Sequence, residues 1–215
     1  MKYIDFKNKY NKLPYFYSSS FVGLGEPIKS IRKQLNEWCK KSLVIQLRRG
    51  IYTINDSDKP MPTERTLIAN SLVEPSYLSL EYALSFYGLI PERVEVMTSI
   101  TTHKTLQVSN AYGRFVYHHI KGTAYTGFIE QKTKDGYAFF IATPEKAVTD
   151  FLYYNLSKIL TLDNNIFEDS YRFQNLESID IQKLRQYGEI YGTQKLLKVI
   201  ESFISFLKES SFEAI

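Results

Sequence analysis

Cysteine is nearly absent. Cys39 stands alone in 215 residues, so no intrachain disulfide framework exists, and a small half-buried thiol inside a helical pattern suits a reducing compartment. No apolar run approaches the roughly 20 residues that a membrane span requires. The opening MKYIDFKNKYNKLPYFY also lacks the apolar stretch of a signal peptide. A cytoplasmic chain with no membrane partner is expected. Histidine is scarce too: His118 and His119 are adjacent on a β-rich run, point to opposite faces and cannot together ligate one metal, while His103 precedes a turn. There is no glycine-rich phosphate loop, no Gly-x-Ser-x-Gly elbow and no paired cysteines for zinc. The expectation is a non-enzymatic chain with no cofactor, no metal and no catalytic residues. Disorder is excluded by what is plentiful, a 44% hydrophobic and 15% aromatic composition with 17 Tyr and 14 Phe, and the length suits two modest cores.

The net charge of +4 is unevenly spread. Residues 1–60 hold 12 Lys and Arg against 5 Asp and Glu, a net of +7, and the remaining 15 against 18 leave −3 for residues 61–215. A concentration of positive charge in one small segment attracts phosphate, and counterion release then supplies affinity for a polyanion.

Periodicity gives that segment an order. Tyr3 to Tyr10 is a short amphipathic stretch, and Ser18-Ser19-Ser20-Phe21-Val22-Gly23 reads as a short helix opened by serine caps and closed by glycine. Gly25-Glu26-Pro27 reads as a turn with proline at the first position of a third helix, in which Ile28, Ile31, Leu35 and Trp38, with Leu43 beyond, form a buried stripe. Lys29, Ser30, Arg32, Lys33, Asn36 and Lys40 belong to the same helix, the cations and the amide mostly away from the stripe. The chain then breaks near Lys41-Ser42, and Leu43 to Ile54 predicts two short strands joined at a tight basic turn, where Gly50 permits positive φ and Arg48 and Arg49 can reach phosphate. Three helices followed by a basic hairpin is the order of a winged helix-turn-helix, which points to double-stranded DNA as the partner.

Asn55 to Pro62 is polar and punctuated by proline, so a linker is expected between a winged helix-turn-helix domain at 1–58 and a second domain at 63–215. Helices are predicted over Glu64–Leu72, Ser79–Gly88, from Thr143 onward, Ile181–Tyr187 and Thr193–Leu207. Thr143-Pro144 pairs a capping threonine with an N1 proline. Strands are predicted over Val94–Thr102, Lys104–Val108, Gly113–Ile120 and Tyr137–Ala142, in a mostly antiparallel sheet. The fold class is α+β: a winged helix-turn-helix followed by a mixed α/β domain with an antiparallel sheet and terminal helices.

Two weak chemical patterns remain. Glu130-Gln131-Lys132, with Glu95 upstream, loosely follows the carboxylate-x-Lys of metal-dependent nucleases, but it abuts a solvated hairpin tip at Lys132–Gly136. Asp56 and Asp58 could imitate a metal pair, yet a flexible linker does not preorganise ligands. A nuclease, or a protein-interaction module without DNA binding, are the alternatives these features leave open.

Four blocks carry a family resemblance. LRRGIY at 47–52, PSYLSLEYAL at 75–84, YGLIPE at 87–92 and IATPEKA at 141–147, in that order, resemble the AbiEi family of type IV antitoxins across roughly Phe16 to Tyr154. The resemblance implies an N-terminal winged helix that represses its own operon by binding promoter DNA with repeated sites. It also implies a C-terminal antitoxin domain that counters a co-encoded nucleotidyltransferase-like toxin, often in phage defence, without necessarily forming a stable complex with it. On that reading Lys29, Arg32, Lys33, Asn36, Arg48 and Arg49 are the DNA contacts.

Overall fold

The computed structural model describes residues 1–21, 28–159 and 166–212 and combines helices with one antiparallel and one mixed sheet. The chain begins with α1 (Tyr3–Tyr10), β1 (Phe16–Tyr17), a 3-10 turn (Ser18–Phe21), α2 (Ile28–Lys40), β2 (Val44–Arg48) and β3 (Ile51–Ile54). The expected serine-capped helix is realised over Ser18–Phe21 as one tight turn; Val22, Gly23 and the Gly25-Glu26-Pro27 turn lie outside the described residues, as does the side chain of Ile28.

Aromatic packing holds this part together. On α1 the four-residue spacing of Phe6 and Tyr10 puts both rings on one face, 4.8 Å apart, and Phe6 meets Trp38 of α2 at 4.6 Å and Phe16 of β1 at 5.3 Å. Ile31, Leu35 and Trp38 are buried at the expected intervals, with Leu35 fully enclosed. Ser42, with φ of 55°, terminates α2, and the Leu43 amide then donates to the Trp38 carbonyl at 2.9 Å. The strands form a three-stranded sheet in the order β1-β3-β2, and the β2–β3 hairpin turns at Arg49-Gly50, where Gly50 has φ of 87°.

The remainder runs α3 (Arg65–Leu72), β4 (Ser76–Leu78), α4 (Leu80–Phe86), β5 (Met97–Thr101), β6 (Leu106–Asn110), β7 (Gly113–His119), β8 (Phe128–Lys132), β9 (Ala138–Ala142), α5 (Pro144–Tyr154), α6 (Leu156–Ile159), a π-helical turn (Ile166–Ser170), α7 (Ile181–Tyr191) and α8 (Gln194–Phe212). Its six strands lie in the order β6-β7-β5-β4-β9-β8. The sheet is mostly antiparallel, as expected, with three of its five pairings of that kind, but it is mixed: β4 pairs parallel with β9, and β5 parallel with β7. Both parallel pairs arise because the chain leaves the sheet and returns beyond a neighbour: β6 lies outside β7, and β8 outside β9.

Sequence periodicity misses β4 and β8. The central strand β4 has only three residues and runs directly into a helix, so Ser79 reads as a cap. Instead, the Ser79 hydroxyl donates to Asp150 of α5 at 2.6 Å and makes no cap bond, and Leu80, buried with φ of 56°, carries the chain around the corner into α4. Thr143 does cap α5, accepting from the Lys146 amide at 3.3 Å, with Pro144 next to it.

The segment expected to be a flexible linker is built into the fold, which corrects that reading. Asp56 accepts from the Thr63 amide and hydroxyl, both at 3.0 Å, and from Tyr112 at 2.9 Å. Asp58 binds Lys7 at 2.5 Å and Tyr3 at 2.7 Å. Lys59 donates to Pro14 O, Thr53 and Thr63, and its burial lowers the ammonium pKa to about 8, a shift that the Asp56 carboxylate opposes. Leu47 of β2 and Ile51 of β3 are buried in the larger hydrophobic core, together with Leu72, Phe115 and Tyr117. The hairpin thus rests against the second part of the chain.

Candidate nucleic-acid interface

The exposed face of α2 is set by what its other face must bury. With Ile31, Leu35 and Trp38 directed at the aromatic core, Lys29, Arg32, Lys33, Asn36 and Lys40 are all exposed, and Ser30 is half-buried at the margin. Lys29, Lys33, Asn36 and Lys40 recur at intervals of four, three and four and so form one stripe, with Arg32 flanking it. Glu37 interrupts the positive charge: it lies 3.5 Å from Lys40, in an exposed pair of small energetic weight. The stripe is therefore strongest at the N-terminal half of the helix.

The two hairpin arginines have different positions. Arg48 is exposed, and one of its guanidinium nitrogens donates to the Leu72 carbonyl at the end of α3, at 2.5 Å. The bulge between Gln46 and Arg48 re-aims that side chain toward the second part of the chain, where Asn110 also donates to the Leu47 carbonyl at 3.0 Å. Arg49 is exposed at the tip. The candidate surface comprises the α2 stripe and Arg49, with Arg48 holding the hairpin to the second part of the chain.

Cys39 on α2 is half-buried, and burial raises its thiol pKa, the reverse of what thiolate reactivity needs. The carboxylate-x-Lys pattern falls on β8, an edge strand, with Glu130 and Lys132 exposed and paired in register with Phe140 and Ala138. Glu95 instead pairs with Arg65 and Arg93. Among the described residues no group of three or more His, Cys, Asp and Glu side chains could hold a metal ion. His118 and His119 do separate to opposite faces: the first rings against Tyr154 at 4.7 Å, and the second contacts the His103 carbonyl at 3.0 Å.

Sequence reasoning did not find the most concentrated polar cluster. Lys146 and Asp150, one turn apart on α5, form an ion pair of 2.6 Å at 1% and 0% side-chain exposure. Asp150 also accepts from Ser79, from Tyr77 at 3.1 Å and from Tyr191, whose hydroxyl pKa is driven upward by burial and then by the Asp150 charge. The Lys146 ammonium lies 4.5 Å from the centre of the Tyr191 ring. The available signal was the i,i+4 spacing of opposite charges on a helix with an otherwise apolar face, and a solvated pair has the same spacing. This cluster joins β4, α5 and α7. Among the described residues no helix is long and apolar enough to cross a membrane.

No family model matches the chain, and no curated protein matches it.

Proposed function

We propose that this chain is a DNA-binding transcriptional repressor whose N-terminal sixty or so residues form a winged helix-turn-helix. The observation that carries the reading is the α2 stripe: three long cations and an amide in line along one exposed helix face, flanked by Arg32 and with Arg49 at a hairpin tip. Arg and Lys on such a helix can enter a major groove while the hairpin holds the backbone. The element order of helix, strand, tight helical turn, helix and hairpin supports a winged helix, with Ser18–Phe21 in the place of the second helix.

The test is charge reversal. Arg32→Glu with Lys33→Glu should abolish binding to the DNA upstream of the chain's own gene and leave the thermal melting temperature unchanged, because both side chains are exposed. Full affinity in that variant would overturn the assignment of α2.

The AbiEi resemblance extends the proposal to an antitoxin that counters a nucleotidyltransferase-like toxin, a function in cytoplasmic phage defence. The IATPEKA block coincides with the α5 start and its buried Lys146, which gives that part of the motif a structural role. Rescue of growth on co-expression with the toxin-like product of a neighbouring gene is the test, and growth arrest despite stable expression of this chain would refute it.

A further inference from the structure

A second concave site lies away from the basic helix. Where α4 and α5 leave part of β7 uncovered, a cleft of about 530 Å³ opens over the sheet. Its size falls in the range of small-molecule sites. The floor is aliphatic, from Val94, Val96 and Val116, and one side is aromatic, formed by Tyr171 with the buried Phe151 packed edge to face against it at 4.8 Å.

Polar groups, among them Glu81, Arg114, His118, Asn155 and Lys158, sit at different points around this floor. Arg114, Val116 and His118 alternate on β7 and so share one face, which separates the arginine from the histidine by about 13 Å at roughly 3.3 Å per residue. Arg114 is exposed and bonds Gln107 at 2.8 Å, an exchangeable contact. At the other end the half-buried His118 ring has no hydrogen-bond partner among the described residues, and burial lowers its pKa, so it stays a neutral donor and acceptor. Glu81 of α4 is close enough to act on both His118 and Tyr171 and makes no ion pair among the described residues. The other carboxylate at the rim, Glu92, is neutralised by Arg172.

We infer that this cleft binds a nucleoside monophosphate, with the base against the aromatic wall of Tyr171, its exocyclic amino edge on Glu81 and His118, and the phosphate at Arg114. A flat heterocycle fits an apolar floor with an aromatic side. A carboxylate beside a neutral imidazole suits the edge of an amino-bearing base, and a guanidinium one nucleotide length away suits the phosphate.

Calorimetric titration of the whole chain with AMP and GMP, with the uncharged nucleosides and inorganic phosphate as controls, tests this. One of the monophosphates should bind saturably. Arg114→Gln should weaken it about tenfold or more while leaving the nucleoside unaffected, and Glu81→Gln should weaken both. The Arg32→Glu and Lys33→Glu variant should bind as the natural chain does, which keeps this result separate from DNA binding. Absence of saturable binding, affinity unchanged in folded Arg114→Gln and Glu81→Gln variants, or affinity lost with the α2 charges would each overturn the inference.

Discussion

Removing Asp150 should destabilise the second core more than almost any other single change. The carboxylate is fully buried against Lys146 at 2.6 Å and accepts three hydroxyl groups, from Ser79, Tyr77 and Tyr191. Asp150→Ala leaves a buried ammonium without its counter-charge, which costs about 3–5 kcal/mol when one partner of a buried pair is deleted. The three orphaned hydroxyls put the expected loss at the upper end of that range. Against a total stability of about 5–15 kcal/mol this is a large share. With a urea slope of about 2–3 kcal/mol/M, a loss of about 5 kcal/mol should lower the midpoint by about 1.7–2.5 M in equilibrium unfolding followed by circular dichroism. The double replacement Lys146→Met with Asp150→Leu removes both charges and should recover at least half of that loss, since apolar side chains of similar volume often replace a buried pair at little cost. A loss below about 1 kcal/mol for Asp150→Ala, or a double variant worse than the single one, would refute the claim that the pair and its hydroxyl shell are interdependent.

Three further outcomes follow from named contacts. Arg48→Ala should lower stability by about 1 kcal/mol through loss of its bond to the Leu72 carbonyl, whereas Arg49→Ala should leave the urea midpoint unchanged and reduce the salt slope of DNA binding by about one; the two measurements together separate the roles. Asp56→Ala should cost about 1–3 kcal/mol by freeing the Thr63 amide and the Tyr112 hydroxyl, and limited proteolysis should then cut near residues 56–63, which stay protected in the natural chain. Alkaline pH should unfold the protein: burial raises Tyr87, Tyr112 and Tyr125 to about 12, so each contributes stability fully present below the unfolded value near 10 and lost as pH rises through 12. A spectrophotometric titration should show these tyrosines ionising together with unfolding, and ionisation near pH 10 in a folded chain would contradict the burial argument.

Much of the secondary structure was legible because period and punctuation agree within single elements. Ile31, Leu35 and Trp38 mark one face of α2, and Thr143-Pro144 marks the start of α5, so neither depends on distant parts of the chain. The parallel pairings were illegible for the opposite reason, since β-branched runs announce strands without announcing their neighbours. The same limit applies to Arg48: the bulge after Gln46 and the position of Leu72 decide where the guanidinium goes, and neither is a property of LRRGIY alone. The polar 55–62 segment reads as a linker because its side chains are hydrophilic, yet Asp56, Asp58 and Lys59 satisfy one another's neighbours in three dimensions. The exposed stripe of α2 was readable because a surface stripe is what remains when the buried one has been assigned.

A salt-titrated binding measurement of the natural chain on its own upstream DNA, against an unrelated duplex of equal length, tests the central claim most directly. Five exposed cations stand on the candidate surface: Lys29, Arg32, Lys33, Lys40 and Arg49. If most of them reach phosphate, the logarithm of affinity should fall with the logarithm of salt at a slope of about −3 to −4, and the cognate duplex should be preferred at every salt concentration. Equal affinity for both duplexes, or no affinity at low salt, would contradict the repressor reading and leave α2 as a surface for some other partner.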